Sequence, residues 1–183
     1  NTSPQNLIMP PSPRVFTIGH SNRSMKEFLE ILKTYRLKLV IDIRTIPKSR
    51  HNPQFGGKRL ATTLAKHGIE YVHMTGLGGL RHTTEASVNK AWRNSSFRGY
   101  ADYMQTDEFK KNLRRLIARS KRKRLVMMCA EAVPWRCHRS LVGDALLARG
   151  FQAEDIFTKT SHKPHRLTPF ARVRGENVTY PKG

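Results

Sequence analysis

From Arg14 onward the apolar residues follow two alternating rhythms. Short, largely apolar runs (Val15-Phe16-Thr17-Ile18, Leu39-Val40-Ile41-Asp42-Ile43, Ile69 to Met74 and Leu125 to Ala130) read as strands. The second is apolar on both faces apart from Asp42, the pattern of a parallel strand covered by helices. Between the runs, apolar positions recur every three or four residues. Phe28, Leu29, Ile31 and Leu32 follow Ser24 and Glu27, which have the spacing of a capping box. Leu60, Ala61, Leu64 and Ala65 form a second helical set, closed by Gly68. Phe109, Leu113, Leu116 and Ile117 mark a helix over 107–120, with Asp107 and Glu108 in its first turn and basic residues crowding its end, as the helix dipole favours. A helix over 138–149 stops at Gly150, and a short strand is predicted near Ala153 to Phe157. Residues 81–106 read as irregular, with a helix around Tyr100 to Met104.

The alternation predicts an α/β fold: a single three-layer domain with a mainly parallel sheet and helices on both faces. It occupies residues 14–158. Residues 1–13, with Pro4, Pro10, Pro11 and Pro13, are expected to form a disordered lead. Residues 159–183 are expected to form a basic tail that packs partly on the domain through Leu167 to Val173.

Composition adds a partner class. The 183 residues carry 34 Lys plus Arg against 13 Asp plus Glu, a formal net charge of +21. The excess is clustered: 81–124 holds 13 basic residues against 4 acidic, and 159–183 holds 6 against one. Clustering favours a polyanion partner, nucleic acid above all, over a merely solvated surface. No apolar run approaches the roughly 18–20 residues of a membrane span, so no membrane association is expected. No secretory signal is read at the start, and two cysteines make no disulfide scaffold. A cytoplasmic setting is therefore expected, with no cofactor or metal.

In open α/β sheets ligands bind beyond the carboxyl ends of the strands, and here the residues just after each strand are polar. Gly19-His20-Ser21-Asn22 follows the first strand. His20 is a candidate proton-transfer group, and Ser21 and Asn22 are candidate substrate contacts, although both also suit a simple turn. Asp42 and Arg44 lie on one side of the second strand, about 6.6 Å apart. They read either as an internal ion pair or as an anion-binding arginine oriented by its neighbour. Arg81 follows a Gly-rich loop, Gly76-Leu77-Gly78-Gly79, that lacks the spacing of a phosphate-binding motif.

Beyond the fourth strand come Glu131, Cys137, His138 and Arg139. Cys137 stands at a helix start between Arg136 and Arg139, where its thiol is expected to be acidified. Cys137 is thus a candidate nucleophile, His138 and Glu131 are candidate acid–base groups, and Arg139 is a candidate anion contact. Cys129, inside an apolar strand, reads as core. A metal site or a disulfide recruiting Cys129 and Cys137 is the weaker alternative, since no C-x2-C spacing is present.

Two functions follow as expectations. In the first, an enzyme or ligand-binding domain takes a nucleotide, nucleic acid or other anionic substrate into a crevice at the strand ends. In the second, a non-catalytic module binds nucleic acid through the basic 107–124 helix and the tail, using Lys110, Arg114, Lys121, Arg122, Lys123 and Arg124.

Several stretches together resemble a known family. Thr17-Ile18-Gly19-His20-Ser21-Asn22-Arg23, Asp42-Ile43-Arg44 with Pro47 and Ser49, and Leu77-Gly78-Gly79 with Arg81 are similar, in order, to segments of the domain of unknown function 488 (DUF488) family. So are Phe97 to Met104, Met128-Cys129-Ala130-Glu131 followed by Cys137-His138-Arg139, and Leu167 to Val173. The resemblance implies a compact α/β domain. It implies no reaction, because the family is functionally unassigned.

Overall fold

The computed structural model describes residues 13–183, so most of the expected N-terminal lead lies outside the described residues. The elements in chain order are β1 (Arg14–Gly19), α1 (Met25–Thr34), β2 (Leu39–Asp42), α2 (Gly57–Lys66), β3 (Glu70–His73), α3 (Ser95–Tyr103), α4 (Asp107–Ser120), β4 (Leu125–Cys129), α5 (Arg139–Ala148), β5 (Gln152–Ile156), β6 (His162–Pro164), β7 (Arg172–Arg174) and β8 (Asn177–Thr179). Local chemistry accounts for their ends. Ser24 Oγ accepts the Glu27 N–H and caps α1, and Gly68 takes the left-handed conformation (φ 68°) that ends α2. Thr106 caps α4, whose bounds coincide with the predicted helix. The helix within 81–106 begins at Ser95, earlier than predicted, because Asn94 caps it.

The sheet order is β3-β2-β4-β1-β5-β6, with every pairing parallel except β5–β6. Side chains alternate across it. On β4, Val126 and Met128 pack with α1 and α2, whereas Leu125, Met127 and Cys129 pack with α3, α4 and α5. Crossovers between parallel strands are right-handed. The steps β1→β2→β3 run toward one edge and β3→β4→β5 toward the other, so their helices fall on opposite faces. The expected three-layer α/β domain is the observed one.

The C-terminal segment is built into this domain. β6 extends the sheet antiparallel to β5, and β7–β8 form a hairpin whose Val178, together with Tyr180, is buried against α5. Buried Asp144 of α5 ties the segment down by accepting from His165 Nε2 (2.8 Å), the Thr168 N–H (3.1 Å) and the Tyr180 hydroxyl (2.7 Å). Asp155 of β5 accepts from the Thr17 hydroxyl and faces His165 Nδ1 at 3.7 Å. Two buried carboxylates against one imidazole raise the His165 pKa to about 9 despite the opposing cost of burial. Among the described residues no helix is long and apolar enough to cross a membrane.

Candidate functional site

β4 lies between β1 and β2. The chain leaves β1 and β2 toward the α1–α2 face and leaves β4 toward α5, and this divergence opens a crevice at the strand C-terminal ends. A cavity of about 280 Å³ sits there, lined by Arg44, Tyr100, Cys129, Glu131, Cys137 and His138 among others.

Its floor follows from how the chain leaves β4. Gly19, paired with Cys129, is required because a Cβ at that position would lie 1.7 Å from the Glu131 carbonyl oxygen. The His20 and Ser21 N–H groups donate to the Cys129 and Ala130 carbonyls and carry the ladder past the strand ends. Pro134 then opens a single 3-10 turn, Pro134–Arg136, closed by the Cys137 N–H on the Pro134 carbonyl (3.0 Å). This turn brings Cys137 back over Cys129, with Sγ–Sγ 2.9 Å and both cysteines free. The first N–H of α5, that of Arg139, points at Cys137 Sγ (3.5 Å), so the helix start is covered by sulfur.

Beneath them lies Arg139, the largest of the fully buried side chains at 1% exposure. Its Nη1 donates to Cys129 Sγ (2.7 Å) and the Glu131 carbonyl (2.6 Å), its Nη2 donates to the Ala132 carbonyl (3.1 Å), and its Nε has no partner. Among the described residues no carboxylate pairs with it. A guanidinium keeps its charge in a protein, and an uncompensated buried charge costs several kcal/mol. The group able to balance it is the Cys129 sulfur. Burial pushes the Cys129 thiol up, but the hydrogen bond from Cys137 and the Arg139 charge outweigh it and bring the pKa to about 7. Cys137, donating to Cys129 and buried, is held well above the ordinary thiol value. The expectation for Cys137 is therefore reversed. The acidified thiol is Cys129, because Arg139 reaches back past the helix start to the strand end.

The histidines divide as sharply. His138 Nε2 donates to the Ile43 carbonyl (3.2 Å), which leaves its Nδ1 lone pair 3.6 Å from Cys137 Sγ. Burial first, then the charges of Arg139 and Arg81, lower its pKa to about 4, so the ring is neutral. His20 is 2% exposed and does not line the cavity. Its ring stacks on Phe55 (4.4 Å), Nδ1 donates to the Ser21 carbonyl (2.8 Å), and Nε2 accepts from Arg44 Nη1 (3.3 Å). Burial lowers its pKa as well. His20 braces Arg44.

Asp42 and Arg44 form the internal ion pair. Arg44 donates to Asp42 through Nε (2.9 Å), Nη2 (2.7 Å) and its own N–H (3.1 Å), and Nη2 also reaches the Phe55 carbonyl (2.8 Å). The Tyr71 hydroxyl adds a bond to Asp42 Oδ2 (2.6 Å). Of the five guanidinium N–H groups one on Nη1 is left over, and Arg44 lines the cavity.

Other expected site residues lie elsewhere. Arg81 gives two of its five N–H donors to the Gly78 and Thr75 carbonyls and stacks on Tyr103 (3.6 Å), outside the cavity lining. Ser21 is half-buried and Asn22 exposed; they bond each other (3.4 Å) and do not line the cavity. The Glu131 side chain is exposed on the rim, as is Arg136. Lys121, Arg122, Lys123 and Arg124 follow α4 and precede β4, which puts them at the opposite end of the sheet from the crevice. Lys123 is paired with Glu70 (2.7 Å), and Arg124 bonds the Tyr35 carbonyl (2.6 Å). Arg114 is exposed and Lys110 half-buried on α4. No group of three or more His, Cys, Asp or Glu able to hold a metal ion is gathered among the described residues.

Cys129, expected in the core, also lines the cavity and meets Arg139. Its apolar strand pointed to the core, and the available signal was its place as the last strand residue, where a side chain borders both core and crevice. No curated protein and no solved structure matches the chain. A family model described as Domain of unknown function DUF488 matches residues 24–146. That span runs from the cap of α1 into α5 and takes in Asp42, Arg44, Cys129, Cys137 and Arg139; with well over half its length so matched, the chain belongs to the DUF488 family.

Proposed function

We propose that this protein is an enzyme that takes an anionic substrate, bearing a phosphate or carboxylate, into the crevice at the strand C-terminal ends and attacks it with the Cys129 thiolate. The observation that carries the reading is buried Arg139, which has no carboxylate partner and meets Cys129 Sγ at 2.7 Å. A thiolate balanced in this way is a nucleophile at neutral pH. Arg136 on the rim and the remaining Arg44 N–H supply positive charge for the substrate's anionic group. The Cys137 thiol and the neutral His138 ring shape the wall beside the nucleophile.

Alkylation tests this. Iodoacetamide is expected to modify Cys129, with a rate inflection near pH 7 instead of the ordinary pH of about 8.5. At pH 7 the rate per accessible thiol should exceed that of an ordinary cysteine by about three- to fourfold, the larger thiolate fraction being partly offset by lower nucleophilicity. Anionic iodoacetate should gain relative to iodoacetamide when each is normalised to free cysteine. Arg139→Gln should move the inflection above pH 8. Labelling of Cys137 first, or an inflection at 8.5 in the unaltered protein, would refute the assignment.

A second reading, nucleic-acid binding, is favoured by a groove beside the crevice. A cavity of about 710 Å³ lies between the Pro134–Arg136 turn and the C-terminal segment, lined by Trp135, Phe157, Lys163, Arg166 and Phe170 among others. Trp135 is 64% exposed, as a stacking platform for unpaired bases would be. Trp135→Ala is expected to weaken binding of a single-stranded oligonucleotide by about 1–3 kcal/mol. Lys163→Ala with Arg166→Ala should flatten its salt dependence. Binding that ignores these changes and falls only when Lys121 to Arg124 are neutralised would move the interface to the far end of the sheet.

A further inference from the structure

We propose that Cys129 and Cys137 form a redox-active dithiol that reduces hydroperoxides, with Cys129 as the attacking sulfur and Cys137 as the resolving one. The proposal rests on the same Cys129 thiolate as the function above and adds a reaction of its own. The two sulfurs are 2.9 Å apart, and a disulfide needs about 2.05 Å, so closure takes less than 1 Å of approach. Both line the crevice, yet Cys129 is only 2% and Cys137 only 6% exposed. A hydroperoxide needs only its terminal oxygen to reach the sulfur from the cavity.

The chemistry balances within this pair. The Cys129 thiolate attacks the terminal oxygen of ROOH and the O–O bond breaks. RO⁻ departs and takes a proton from water, leaving Cys129 as a sulfenic acid. Cys137 sulfur then attacks Cys129 Sγ. The S–O bond breaks, and the hydroxide leaves as water with the proton of Cys137. The two cysteines lose two electrons and the peroxide gains them, so two thiols plus ROOH give a disulfide, ROH and water. A small thiol reductant resets the pair. Arg139 adds a directional bias. Oxidation removes the thiolate that balances it and leaves a buried guanidinium without its counter-charge, so the reduced form is favoured and the disulfide is an easily reduced one.

The test uses the full chain with hydrogen peroxide at one equivalent. The unaltered protein should lose both thiols and gain one internal disulfide, which a modest excess of reduced glutathione then removes completely. Cys137→Ser should stop at a sulfenic acid on Cys129, trapped by dimedone. Cys137→Ala serves as the second variant and should give the same adduct. Cys129→Ser should consume peroxide at least about tenfold more slowly than the unaltered protein. Equal rates in Cys129→Ser, or a disulfide that glutathione cannot reduce, would overturn the proposal. If iodoacetamide still labels Cys129 with an inflection near pH 7 while peroxide yields no disulfide, the thiolate reading stands and the dithiol falls. If Cys129 is not labelled at all, both fall.

Discussion

Replacing Asp42 with Asn is expected to lower the unfolding free energy by about 3–5 kcal/mol, the usual cost of removing one partner from a buried ion pair. The pair is enclosed: Asp42 is 0% and Arg44 7% exposed. Asp42 holds the guanidinium through two of its nitrogens, bonds the Arg44 backbone and receives the Tyr71 hydroxyl. Asn keeps the shape but removes the negative charge, so Arg44 is left buried and unbalanced. It will then swing toward the crevice or draw in water. The measurement is the denaturant midpoint, with the slope unchanged if the denatured state is unaffected. A combined Asp42→Leu, Arg44→Met variant should recover much of the loss, because the penalty lies in the unpaired charge. A loss below about 1 kcal/mol in Asp42→Asn would show that the pair is solvated.

The second large effect is on pH. His165 titrates near 6.5 when unfolded and at about 9 in the fold. A raised histidine stabilises the fold fully below its unfolded pKa, and that stability is lost as pH rises through the folded pKa. At 1.36 kcal/mol per unit the difference amounts to about 3 kcal/mol, present in full below pH 6.5 and gone above pH 9. His138, held at about 4 by burial, works in the opposite sense: its contribution is present above pH 6.5 and lost as pH falls toward 4. Comparing unaltered protein with His165→Gln at pH 6 and pH 9.5 isolates the first effect. The variant should be the less stable at pH 6, and the two should converge at pH 9.5. Amide exchange should find the high-pH loosening concentrated in β6 to Tyr180, the segment that Asp144, His165 and Asp155 clamp. A gap that persists at pH 9.5 would mean the imidazole holds the segment by packing and not by charge.

The site is legible in the sequence where contacts are local and not where they depend on what lies across a gap. Asp42 and Arg44 are two residues apart, and their pairing was one of two readings the spacing allowed; the fold selects it by placing Tyr71 and the Phe55 carbonyl beside them. Cys137 looked acidified because Arg136 and Arg139 are its sequence neighbours. The guanidinium of Arg139 instead extends to Cys129, ten residues back along the chain. Arg81 followed a strand as a crevice residue should, but the Gly76–Gly79 turn points it at Tyr103.

By itself the sequence determined the layered fold, since runs apolar on both faces need helices on both sides and helical spacing supplies them. It also determined that polar and titratable side chains follow the strand ends. Only the tertiary structure decided which sulfur meets the buried Arg139 guanidinium. The Pro134–Arg136 turn set this, carrying the chain that leaves β4 back over the end of the strand so that Arg139 reaches Cys129. Electrostatic pairing depends on distance through space, and hydrophobic periodicity carries no record of it.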